Sequence, residues 1–164
     1  MPVSARLGRA IAAGVLAVTA VVGVSGCQWQ SLQPYTPADG VNVTINDVAV
    51  RNLAIVVTDD GQGVLLGTVV SGSTDQLTSV KGSALLPNGD PGTPLQVTTS
   101  SPVAVGPNNP VILADNAIKI SSSDLRAGLT AQVELTFAKA GSVSIIAPVL
   151  DKNSPEYKDL YLPA

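Results

Sequence analysis

Leu129-Thr130-Ala131-Gln132-Val133-Glu134-Leu135-Thr136-Phe137 alternates apolar and polar side chains without a break. Period two belongs to a β-strand with one face in a core and the other in water. Leu129, Ala131, Val133, Leu135 and Phe137 then face inward, and Thr130, Gln132, Glu134 and Thr136 face out. Ala140-Gly141 turns the chain, and residues 142–149 read as the last strand.

The same rhythm runs upstream. Val41-Asn42-Val43-Thr44-Ile45 alternates, Asn46-Asp47 turns, and residues 48–57 form a second apolar run interrupted by Arg51 and Asn52. Asp59-Asp60-Gly61-Gln62-Gly63 is a strong turn signal before a strand at 64–70, so 54–70 reads as a hairpin. Short β-prone stretches follow at 77–86, 95–99, 103–105, 111–113 and 117–120. Pro87-Asn88-Gly89-Asp90-Pro91-Gly92, Ser101-Pro102 and Gly106-Pro107-Asn108-Asn109-Pro110 separate them. The one helix-like piece is 121–128, where Ser or Asp would cap a single turn and Gly128 would stop it. Short strands punctuated by Gly and Pro predict an all-β fold, an antiparallel immunoglobulin-like sandwich of about seven to nine strands over residues 41–150.

The first 26 residues belong to a different kind of segment. Arg6 and Arg9 supply positive charge, and residues 10–24 carry no charge and are almost all Ala, Val, Leu, Ile and Gly. That length suits a signal-peptide core and is short of the roughly 20 residues a membrane span needs. It ends in Val24-Ser25-Gly26-Cys27, which resembles the lipobox of bacterial lipoproteins. Small Ser25 and Gly26 fit a narrow peptidase cleft, and the Cys27 thiol would take the diacylglycerol. Cys27 is the only cysteine, so no disulfide forms within the chain. Lipid gains about 0.8 kcal/mol per buried methylene, and two chains anchor stably. The expectation is a protein lipid-anchored on the extracytoplasmic face of the cell membrane, with residues 1–26 as signal peptide. Residues 27–40 are then the lipidated cysteine and a flexible tether, and 151–164 a C-terminal tail.

Loss of Arg6 and Arg9 leaves seven Lys plus Arg against twelve Asp plus Glu, a net charge of −5. An acidic domain lacks the basic face that nucleic acid or anionic lipid would need. Chemistry is thin as well. Histidine is absent, which removes the commonest general base and the imidazole ligand of most zinc and copper sites. Met1 is the only methionine and leaves with the leader. Asp59-Asp60 and Asp115 lack the converging oxygens of a Ca²⁺ site, and Ser79 and Lys81 make no dyad by themselves. The expectation is no enzyme, no metal and no cofactor.

Four of the five aromatics, Trp29, Tyr35, Tyr157 and Tyr161, fall in the tether or the tail. Aromatics outside a core are the residues most enriched at binding hot spots. Tyr157, Leu160 and Tyr161 would share one face of a helical tail. They are candidate partner contacts, with a tail that covers a sandwich edge as the alternative.

The run from Asp124 to Val143, which contains Leu135-Thr136-Phe137 and Ala140-Gly141-Ser142-Val143, together with Ala147-Pro148-Val149, resembles the C-terminal signature of the periplasmic copper chaperone family. Residues 63–80, with Asp75-Gln76-Leu77, are similar to that family's early hairpin. The resemblance implies a cupredoxin-like β-sandwich. It also implies Cu(I) bound by paired His and Met, one group near 84–95 and another near 115–120. Neither residue type stands there, and Cu(I) needs such soft ligands. The chain is thus similar to the metal-free actinobacterial lipoproteins of this superfamily. The implied role is that of a non-catalytic accessory protein of the envelope, in contact with an integral-membrane or envelope partner such as a respiratory membrane complex. A carrier of a hydrophobic envelope molecule and a degenerate metallochaperone are the alternatives.

Overall fold

The computed structural model describes residues 39–99, 102–116 and 118–160. Val24, Ser25, Gly26, Cys27, Trp29, Tyr35 and Tyr161 lie outside them. Eleven strands occur among the described residues: β1 Val41–Ile45, β2 Val48–Val57, β3 Gln62–Ser71, β4 Asp75–Leu85, β5 Pro91–Pro94 and β6 Gln96–Thr98. Then come β7 Val103–Val105, β8 Val111–Ile112, β9 Lys119–Ser121, β10 Thr130–Phe137 and β11 Gly141–Asp151.

Two sheets face each other. One joins β1, β2, β3, β8, β9 and β6; the other joins β5, β7, β4, β10 and most of β11. β11 belongs to both. Its residues up to Pro148 pair antiparallel with β10, whereas Val149, Leu150 and Asp151 pair with Ile55, Val56 and Val57 of β2 in parallel. Proline has no N–H to give a ladder, so Pro148 is a natural point for the strand to change sheets. The fold is the expected all-β sandwich, with this parallel pair and eleven strands among the described residues where about seven to nine were anticipated.

The core is the alternation of the sequence made solid. Ala131, Val133 and Leu135 are fully buried and Phe137 is 2 % exposed, with Gln132 and Glu134 on the outer side. Leu53, Ile55, Leu65, Leu113, Ile118, Ile120 and Leu125 complete the interior. A bulge explains the interrupted pattern of β2. Arg51 pairs with Thr68 and Ala54 with Leu66, so Asn52 and Leu53 oppose Gly67 alone. Asn52 takes a φ of 54° there. The extra residue resets the pleat and lets both Val50 and Leu53 point inward.

Two expectations need correction. Pro91 and Gly92, read as the end of a turn, open a short edge strand, Pro91–Pro94, on β4, with Pro91 opposite Leu85 and Pro94 opposite Ser83. Proline is tolerated at edges because the missing donor faces away from the sheet. Residues 121–128 make turns rather than a capped helix, and the 3₁₀ turn lies at Ala114–Asn116 instead. Asp124 caps no helix because its carboxylate accepts the N–H of Thr93 at 2.7 Å.

One buried carboxylate ties the hairpin to its neighbour. Asp75, at the start of β4, is 3 % exposed. Its Oδ1 accepts the N–H groups of Gln76 (2.7 Å) and Lys139 (2.9 Å), and its Oδ2 accepts that of Ala140 (2.9 Å). Burial alone would raise the Asp75 pKa; the three backbone donors and the Lys139 ammonium outweigh it and hold it below the ordinary carboxylate range. Lys139 and Ala140 sit in the three-residue loop between Phe137 and Gly141, which closes with Gly141 at a φ of 89°.

Candidate functional site

The two segments to which the resemblance assigns copper ligands contribute to one core. β6, which follows the first of them, pairs with β9, placing Val97 opposite Ile120 and Thr98 opposite Lys119. The Leu95 N–H donates to the Gly82 carbonyl of β4 at 2.9 Å, which draws the start of β6 under the sheet. What meets there is hydrocarbon. Ala84, Ile118 and Ile120 are 1 % exposed and Leu95 is 7 % exposed, all inside the core, with Val97 packed on it. Methyl and methylene groups offer no lone pair to a soft cation. The residues present do not fit a copper ion. Among the described residues no three His, Cys, Asp or Glu side chains are grouped to hold a metal.

A polar cleft opens beside this region. It measures about 440 Å³ and is lined by Asp60, Gln62, Thr93, Gln96, Ser121 and Ser123 among others. Its walls are locked to one another. The Ser122 N–H donates to the Gly61 carbonyl at 3.2 Å, the Ser122 hydroxyl to the Thr93 carbonyl at 3.2 Å, and Thr93 and Ser123 hydroxyls lie 3.1 Å apart. Gly61 has a φ of 78°, and a Cβ there would lie 2.4 Å from the Ser122 carbonyl oxygen. Only glycine suits that turn.

The carboxylates at its rim are already engaged. The Thr58 hydroxyl donates to Asp60, and so does the Gln62 amide at 3.3 Å; bonds of this kind, the Thr58 hydroxyl foremost, hold the Asp60 carboxyl below its ordinary pKa. Thr93, through its hydroxyl and its N–H, does the same for Asp124, with Arg126 assisting. Ser79 and Lys81 lie on β4 opposite Thr136 and Glu134. The cleft can hydrogen-bond water or a hydroxylated ligand.

The tail residues singled out by sequence divide. Tyr157 and Leu160 are half-buried, and Tyr161 lies outside the described residues. The Tyr157 hydroxyl donates to the Asp39 carboxylate. Burial first, then Asp39 and Glu156, push its pKa up to about 12. In the sequence Asp75 marks only the hairpin that resembles the copper chaperones, with no bond assigned to it. Its one signal is a carboxylate in phase with Leu77, at an inward position of a strand.

Neither a protein-family model nor a curated protein matches the chain. Solved structures do. The copper-bound PCuAC domain from PmoF2 is 19 % identical with a TM-score of 0.52, over 68 % of this chain and 98 % of that one. The apo PCuAC domain from PmoF1 is 17 % identical with a TM-score of 0.51, over 66 % and 98 %. The apo PmoF2 domain gives 18 % and 0.51, over 70 % and 98 %. In its fold the chain is thus similar to the PCuAC copper-chaperone domains, at identities that speak for the architecture alone.

Proposed function

We propose that this chain is a metal-free accessory protein of the cell envelope, lipid-anchored through Cys27 on the extracytoplasmic face of the membrane. It acts without catalysis, by contact with an integral-membrane or envelope partner, a respiratory complex being the first to test. One observation supports the reading: a PCuAC-like sandwich whose two resembled ligand segments give apolar side chains, Ala84, Leu95, Ile118 and Ile120, to one core. A fold associated with carrying copper is kept while the atoms that would carry it are replaced by packing. The lipid anchor rests on the sequence from Val24 to Cys27.

Carriage of a hydrophobic molecule between the sheets finds little support. The pocket that opens there at Leu77, Val80, Val103 and Ile118 holds about 10 Å³, room for roughly one water. The test is purification from membranes in mild detergent through a tag placed after Ala164. A partner recovered in stoichiometric amount with the natural chain supports the reading. Recovery of the chain alone, or with stoichiometric copper, overturns it.

A further inference from the structure

The sheet that contains β2 is apolar on both faces. Val48, Val50, Leu53, Ile55 and Val57 point between the sheets. Ala54 and Val56 alternate with Leu53, Ile55 and Val57 and so point outward, as does Val64, the cross-strand partner of Val56. Yet Ala54 is 1 % exposed, and Val56 and Val64 are 0 % exposed. Leu66, opposite Ala54, and Leu150, opposite Val56, border them and are half-buried. An outer face this dry has a cover.

The tail is fastened at both ends of that face. The Lys152 N–H donates to the Val57 carbonyl at 2.9 Å. The chain then coils: Tyr157 and Lys158 both donate to the Ser154 carbonyl, at 2.9 and 3.0 Å, and Leu160 donates to Tyr157 at 2.9 Å. The Lys152 ammonium closes the coil on the Lys158 carbonyl. At its far side the Tyr157 hydroxyl donates to Asp39. Asp39 precedes Gly40, whose N–H donates to the Asn52 side chain at 2.7 Å. Val57 and Asn52 bound the stretch of β2 that carries Ala54 and Val56, a span of roughly 17 Å at strand rise.

We infer that residues 152–160 are a strap that covers the outer apolar face formed by Ala54, Val56 and Val64, latched by Tyr157 on Asp39 at the point where the chain enters the sandwich. The strap holds whether or not Cys27 carries lipid. It makes the Tyr157 hydroxyl an internal fastener and couples the tail to the entering chain, so that a pull on one loosens the other.

The test labels a thiol under the strap. In the full-length chain in detergent, Cys27→Ser removes the native thiol and Val56→Cys places a new one beneath residues 152–160, with Ser144→Cys as the exposed control. The Val56→Cys thiol should react with a maleimide at least a hundredfold more slowly than the control. Tyr157→Phe should speed it about tenfold, the loss of one bond to a charged acceptor. Deleting residues 154–164 should bring it near the control rate. Rapid labelling in the strapped chain overturns the inference. So does slow labelling after deletion in a chain that still melts cooperatively. Should Val56→Cys fail to fold, the deletion alone decides: it should raise binding of a hydrophobic dye severalfold, and unchanged dye binding refutes the strap.

Discussion

Asp75→Ala removes the acceptor of three backbone N–H groups and leaves one of them, that of Ala140, buried without its partner. Gln76 and Lys139 are exposed residues whose N–H groups can find water. An orphaned buried donor costs about 1–3 kcal/mol, which is the loss expected here. In a domain of this size each kcal/mol moves the midpoint by roughly 3–5 °C, and the expected fall is about 3–15 °C. Asp75→Asn should cost less. Its amide oxygen can keep Gln76 and Lys139, while its NH₂ meets the Ala140 N–H donor to donor. The pH dependence separates the two effects. The folded pKa of Asp75 lies below its unfolded value, so its contribution is fully present above about pH 4 and is lost as the pH falls through the folded value. Asp75→Asn should therefore flatten the acid limb of stability. Urea and thermal melts of the parent and both variants from pH 2.5 to 7 are the assay. An Asp75→Ala midpoint within 2 °C of the parent, by the same order-of-magnitude reckoning, would refute the reasoning.

Gly61→Ala must place a Cβ 2.4 Å from the Ser122 oxygen at a φ of 78°; a loss of about 1–3 kcal/mol is expected in a urea melt, where Gly89→Ala, with open space around its Cβ, should lose less. Phe137→Ala empties the one aromatic position of the core among the described residues and should cost about 3–5 kcal/mol by the same measurement. Cys27→Ser should yield an unlipidated precursor or a released soluble form on fractionation and intact mass; a variant that stays on the membrane with the mass of the natural form would end the lipoprotein reading.

What the sequence told and what it hid follow from how local each feature is. The period-two run from Thr130 to Phe137 specifies its own strand and its own buried face, and both occur as read. The bulge at Asn52 was not read, although the polar pair Arg51-Asn52 inside an apolar run is its local mark. Features set by long-range partners were not legible. Pro91 and Gly92 look like the end of a turn and join a strand because Leu85 and Ser83 of β4 lie beside Pro91–Pro94. Asp124 looks like a cap and serves Thr93, 31 residues away. The partners of Asp75 are the N–H groups of Lys139 and Ala140, more than 60 residues away, which the sequence around it does not reveal. At the site, the absence of His and Met near 84–95 and 115–120 was plain in the sequence. That Ala84, Leu95, Ile118 and Ile120 share one core shows only in the folded chain.

The central claim is that a PCuAC-like fold persists here with packing where copper ligands would stand. Competition for Cu(I) between residues 28–164 and a chromogenic chelator tests it most directly. The account predicts that the chelator keeps all the metal at every protein concentration, with the thermal midpoint unmoved by copper, since a ligand bound at a hundred times its dissociation constant would add about 2.7 kcal/mol. One copper per chain retained at nanomolar free metal would contradict it.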